Sequence, residues 1–292
     1  MAGCDSTEDT NSNNSSGNSG AGSSDDATDG SDAADVPALG NRTFGIFALE
    51  PENRDFGQNV IQPIVSSGAS STTLSVYWDD IEGTASTYEP AINYLEIGEI
   101  FYPPYGLAIN LSFSVIDTNN KRLAPHLSGR AFDDPDVICS FIAMLDWAKT
   151  QIPTLNVKTL HIGNEVDVYL DQNSIEWPAW ITFFTATSAH ARTLWPDAVV
   201  GCKTTYGGIT LTNRAATIDL HTQADATFLT YYHMDGNFMV LAPAAISNTF
   251  SDIASYPVEK PIHLLEIGVP SDTRNGGSEQ HQADTVTEMF RA

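Results

Sequence analysis

Basic residues are scarce in this sequence. Thirteen Lys and Arg stand against 37 Asp and Glu, giving a formal charge of −24 and a pI near 4.3. That field excludes a nucleic-acid partner, whose phosphates need a basic face. It suits a chain acting on a neutral or cationic substrate. Long apolar runs are missing as well, and nothing reaches the ~18 apolar residues of a membrane-spanning helix. Only three cysteines are present, Cys4, Cys139 and Cys202, and none has the spacing of a zinc site. Cys139 falls in a helical pattern and Cys202 in an apolar strand-like run, so both are expected as small core residues. The chain also lacks a G-x-G-x-x-G after its first strand-like run and a G-x-S-x-G anywhere. These absences exclude the usual dinucleotide fingerprint and a Ser nucleophile elbow.

Residues 1–41 are mostly Ser, Gly, Asn and Asp, with eight acidic residues and no Lys or Arg in the first 40. Such a segment has little to bury and is expected to be a disordered tether. Ala2-Gly3-Cys4 resembles the end of a bacterial lipobox, whose Cys becomes a lipidated N-terminus. The resemblance implies membrane anchoring through Cys4 and an extracytoplasmic address, with a hydrophobic leader that this sequence does not carry.

From residue 42 onward the pattern changes. Apolar, β-branched runs occur at Thr43–Leu49, Thr72–Trp78, Leu107–Ile116, Val157–Ile162, Ala198–Thr204, Thr227–Tyr232 and Ile262–Ile267. Helical periodicity fills the gaps. It is clearest from Asp134 to Thr150, where Asp134 can cap and Pro135 fits the first turn. Further helices are expected from about Trp177 to Leu194 and after Ser278. Strands alternating with helices imply a parallel sheet covered on both faces, and the unit lengths suit a (β/α)8 TIM barrel over residues 42–292. A doubly wound open sheet is the alternative. The count stops at seven, so the expectation is a barrel lacking its eighth βα unit, as in a piece of a longer protein. A seam would then open between the first and seventh strands.

In such a barrel, catalytic groups stand at the C-terminal strand ends. Glu165 follows the fourth strand in VKTLHIGNEVDVYL, and Glu266 ends the seventh in PIHLLEIGVPS. Side-chain alternation gives Ile262, Leu264 and Glu266 one parity, which points Glu266 inward if Leu264 points inward. By the same count His263 faces the helix layer. Two carboxylates across a barrel mouth are what glycoside hydrolysis needs. A metal site gathered from His161, Glu165, His233, His263 and Glu266 is disfavoured, because the first strand, TFGIFALE, has no H-x-H. No cofactor is called for.

Gly163-Asn164-Glu165-Val166 resembles the Asn-Glu signature of the clan A glycoside hydrolases, and Glu266-Ile267-Gly268-Val269-Pro270-Ser271 resembles their strand-seven nucleophile motif. The nearest form is that of the β-1,3-glucanases; the endo-β-1,4-galactanases are more distant. The resemblance implies a retaining glycosidase with Glu165 as acid/base and Glu266 as nucleophile. It implies Asn164 on the sugar 2-hydroxyl, and Tyr232 or His233 touching the nucleophile. Val269 stands where the β-1,3-glucanases have Trp, which removes an aromatic surface. Trp78, beside Asp79 at the end of the second strand, and Tyr206, after the fifth, are further candidates for sugar contact. Asp167 and Tyr169 could line a subsite, although a loop Asp is usually solvated. The expected partner is a polysaccharide or oligosaccharide bound by a monomer. The alternative is a carbohydrate-binding barrel without chemistry.

Overall fold

The computed structural model describes residues 43–47, 55–211 and 214–292. The expectations for residues 1–41, including the tether and Cys4, lie outside the described residues.

Parallel pairing orders the strand-like segments from the first to the seventh, in two hydrogen-bonded sheets that meet at the fifth. Gly45 bridges to Ser71, at the start of the second strand, Ser71–Tyr77. That strand pairs with the third, Ala108–Asp117, which pairs with the fourth, Val157–Asn164. The fifth strand is broken at Cys202. Its first half, Val199–Gly201, pairs with the fourth strand, and its second half, Lys203–Thr205, pairs with the sixth. The sixth, Thr227–Tyr232, pairs in turn with the seventh, Ile262–Gly268. All seven strand-like runs therefore lie in one curved parallel series, as the alternation predicts. Among the described residues no pairing joins the seventh strand to the first, and no residue of the seventh strand is fully buried.

Two-sided burial explains why these strands read as apolar runs. Leu111, Phe113 and Val115 of the third strand face the helices and are 0% exposed. Phe113 meets Phe141 and Trp195 there. The helix Pro135–Gln151 starts where the sequence puts it: the Asp134 carboxylate accepts from the Asp136 N–H at 2.9 Å, and Pro135 fills the first turn. Trp177–Leu194 buries Trp180, Phe183, Phe184 and Ala191 on one stripe. The last helix, Glu279–Arg291, opens on Ser278, whose hydroxyl accepts from the His281 N–H.

The other face of the strands lines the barrel lumen, and it is polar. Thr159 donates to Asn110 at 2.9 Å across neighbouring strands. One layer up, the rings of His161, Phe228 and His263 meet in a row, with centroids 5.9 and 5.3 Å apart. The row crosses the fifth strand at Gly201, where a Cβ would sit 2.7 Å from the Phe228 ring. His263 thus faces the lumen, not the helix layer as alternation suggested. A register shift between Leu264 and Glu266 gives the reason. Leu265 is an extra residue in the ladder, so Leu264 packs outward with Leu229, Ile253 and Tyr256. Glu266, one step beyond the bulge, turns inward. Glu266 thus points inward as alternation predicts, although Leu264 points outward.

Candidate active site

The fourth strand ends in a backbone arrangement that only particular residues permit. Gly163 has φ +89°, and a Cβ there would lie 2.5 Å from Val166 Cγ1 and 2.9 Å from the Trp180 ring. Glu165 is itself left-handed, with φ 48° and ψ 45°. That conformation is uncommon for a residue with a side chain and points to a functional constraint. The carboxylate it presents is gripped at both oxygens. Thr118 donates to Oε2 at 3.0 Å and Thr230 donates to Oε1 at 2.7 Å. Thr118 is also left-handed, with φ 54°, and its N–H is held by the Asn164 carbonyl at 2.9 Å. Two threonines, one in the turn after the third strand and one in the sixth strand, therefore fix one acid.

Glu266 stands on the neighbouring side of the mouth. Its Oε1 is paired with the ammonium of Lys203, and Tyr232 donates its phenol to Oε2 at 2.9 Å. Burial, then the Glu266 charge, pushes the Tyr232 phenol well up, so it remains a donor. Glu165 adds to the same effect, so one phenol feels both carboxylates. Backbone register links them too, because Thr230, which holds Glu165, is the direct strand partner of Glu266. The structure therefore brings Glu165 and Glu266 to one mouth, as the sequence predicts. Asn164 lies beside them. Its Nδ2 donates to Asp117 at 2.9 Å, leaving the buried Oδ1 without a protein partner.

The remaining candidates divide. Tyr232 touches the carboxylate assigned as nucleophile. His233 does not: it is 0% exposed, with Nδ1 engaged by the Tyr231 phenol at 2.7 Å and Nε2 by the Ala242 carbonyl at 2.8 Å. Trp78 is also corrected. It is 0% exposed, packs on Phe141 and Phe183, and donates to Glu82 at 2.8 Å. The strand stops at Tyr77, and the next turn folds Trp78 back under the helices. Asp79 binds Arg122 at 2.8 Å. Tyr206 borders the cavity and donates to Asp252 at 3.0 Å. Tyr169 is tied to Glu176 at 2.8 Å. His161 is fully buried, with both ring nitrogens unpartnered, and burial holds it neutral well below its usual range. Among the described residues no three His, Cys, Asp or Glu side chains gather as a metal-ligand set.

Asp167 is the other correction. It is 3% exposed, not solvated, and accepts from the Thr205 N–H and hydroxyl. Burial outweighs those bonds and pushes its carboxyl up to about 6, with the Glu165 charge contributing. The folded value lies above the unfolded ~3.9. The protonated form is therefore the one that folding favours, below about pH 4, and the advantage is lost as pH rises through about 6. Above that, ionisation costs about 2–3 kcal/mol. Asp167→Asn cannot ionise. Relative to wild type it should gain roughly that much unfolding free energy between about pH 4 and 8, read by urea denaturation. A pH-independent difference would refute the shift.

Sequence reasoning missed Lys203, Thr118 and Thr230. Lys203 had a signal, being the lone charge in the buried strand run AVVGCKTT, where a Lys is almost never found unpaired. The threonines had none.

A cavity of about 770 Å³ opens at this mouth, bordered by Glu165, Tyr206, Tyr231, Tyr232, Met234 and Phe238 among others. No protein-family model matches the chain, and no curated protein matches it in sequence. Solved structures do match. Exo-β-1,4-mannosidase Op5Man5 from Opitutaceae bacterium strain TAV5 superposes with a TM-score of 0.66 at 15% identity, covering 85% of this chain and 50% of that one. The fold is a TIM barrel. A GH5_18 variant from Bifidobacterium longum, in complex with Manβ1-4GlcNAc, gives a TM-score of 0.65 at 15% identity, covering 85% of this chain and 65% of the other. The GH53 catalytic domain of Ignisphaera aggregans gives 0.61 at 13%, covering 86% and 75%. The chain spans half to two thirds of the length of the first two. These neighbours are clan A glycoside hydrolases, and the likeness does not single out the β-1,3-glucanases.

Proposed function

We propose that the protein is a retaining β-glycoside hydrolase with Glu165 as acid/base and Glu266 as nucleophile. The observation that carries this is the pair of carboxylates at the ends of the fourth and seventh strands, coupled through Thr230 and Tyr232. Their environments differ as their roles require. Glu266 takes an ammonium and a phenol, both donors to an ionised carboxylate, which suits attack on an anomeric carbon. Glu165 has only hydroxyl partners, which can accept as well as donate and so tolerate both of its protonation states.

In the first step Glu266 forms a bond to the anomeric carbon as the bond to the leaving oxygen breaks, and Glu165 gives that oxygen its proton. In the second, Glu165 takes a proton from water, whose oxygen displaces Glu266 and restores the starting configuration. Asn164 Oδ1 is free to accept from the sugar 2-hydroxyl. The Ser/Gly/Asn-rich segment and Cys4 support a tethered, extracytoplasmic enzyme working on glycans outside the cell. The mannosidase and the Manβ1-4GlcNAc complex among the structural neighbours make β-mannosides the first substrates to try.

The test is reducing-end release from β-mannans, β-glucans, galactans and xylans. One polymer should be cleaved, and Glu165→Gln should lower that rate by about 10²–10⁴-fold. Silence from a folded protein that still binds oligosaccharide would overturn the hydrolase in favour of a carbohydrate-binding barrel.

A further inference from the structure

The segment after the sixth strand folds back as a tight hairpin, closed by a bridge between Met234 and Val240. Asp235 organises it. Its carboxylate accepts from the Asn237 N–H at 2.8 Å and the Met239 N–H at 2.9 Å, and its own N–H donates to the Met239 carbonyl. The hairpin is also laced to the segment after the seventh strand. Asn275 donates to the Phe238 carbonyl at 2.8 Å, and the Asn275 carbonyl accepts from the Val240 N–H at 2.9 Å. At its tip stands Phe238, left-handed at φ 61° and 70% exposed. A bulky aromatic in that conformation is an outlier. The bonds around it are to the backbone, so the loop fixes where the side chain emerges and leaves the ring exposed.

Phe238 borders the same cavity as Glu165, whereas Glu266 is not among the residues lining that cavity. Of the two carboxylates Glu165 is the one that lines it, and Tyr232, which donates to Glu266, lines it as well. We propose that Phe238 is a stacking platform for the leaving-side sugar, taking the apolar C–H face of the pyranose ring whose oxygen Glu165 protonates. This rests on the assignment of Glu165 above. An aromatic ring offers contact area at little cost in conformational entropy; of the other rings on this cavity, Tyr231 is buried, Tyr206 is tied to Asp252 and Tyr232 to Glu266. The occupant is thus a sugar ring of a β-linked oligosaccharide rather than a small alcohol.

The test compares two substrates of whichever β-sugar the full chain cleaves: the glycosyl fluoride, whose leaving group has no ring, and the β-linked trisaccharide. Phe238→Ala should lower kcat/KM for the trisaccharide about tenfold more than for the fluoride, mainly through KM, and Phe238→Trp should restore the ratio. Equal effects on both substrates would overturn the proposal. A second measurement does not depend on turnover. With ring-¹³C-labelled phenylalanine, the Phe238 signal, assigned by its loss in Phe238→Ala, is followed during titration with mannotriose, cellotriose, galactotriose and xylotriose. A shift with one of them supports the platform. Turnover with an unmoved Phe238 signal defeats this inference alone, and neither turnover nor any shift defeats it together with the hydrolase.

Discussion

Glu266→Ala is expected to lose about 10⁴-fold or more in kcat, and azide should return part of it on an aryl β-glycoside. The stereochemistry of the product then assigns the roles. With Glu266 shortened, azide enters where that carboxylate stood, on the face opposite the leaving group, and the product is the α-glycosyl azide. With Glu165→Ala the nucleophile still works, and a good leaving group departs without an acid. Azide then attacks the glycosyl-enzyme from the vacated acid/base side, giving the β-glycosyl azide. The two variants should therefore yield opposite anomers, read by NMR. The same anomer from both, or the reverse pairing, would refute the assignment. The expected losses differ because the proposed mechanism asks Glu165 for proton transfer, worth about 10²–10⁴-fold, and Glu266 for the bond itself.

The strands were legible in the sequence because parallel strands buried on both faces must read as apolar runs. Their order followed from alternation with helices, and the helix Pro135–Gln151 announced itself through Asp134 and Pro135. What sequence could not carry was irregularity. The bulge at Leu265 puts the side chains on its two sides out of step, so alternation counted across it from Glu266 misplaces His263. Trp78 was misread because the strand ends one residue earlier than its apolar run. The carboxylate pair was visible through its position after two strands. The groups that tune it were not, because Thr118, Thr230 and Lys203 sit 47, 65 and 63 residues from the carboxylates they bind. Such pairs meet only when the barrel curls. Phe238 had no signal either, since its proposed role depends on a loop conformation that its residue type disfavours.

The buried ammonium of Lys203 makes a second large effect inseparable from the first. Its side chain is 2% exposed, while Glu266 is 30% exposed. Removing the carboxylate leaves a cation in the lumen without its counter-charge, and breaking a buried pair costs about 3–5 kcal/mol. Water reaches the Glu266 side, so the lower end, about 3 kcal/mol, is the expected loss of unfolding free energy in Glu266→Ala. Lys203→Met should cost less, because the carboxylate left behind is the better solvated partner and keeps the Tyr232 phenol. The double variant should then be more stable than Glu266→Ala alone, since it has no stranded charge, and a coupling of about 1–3 kcal/mol should appear in the cycle measured by urea unfolding. Additive losses would mean that Lys203 does not depend on Glu266 for its burial. Activity separates from stability across the same four proteins. The double variant should regain stability without regaining turnover, while Lys203→Met should fold and turn over slowly. In Lys203→Met the carboxylate has lost the ammonium that positions it for the proposed attack.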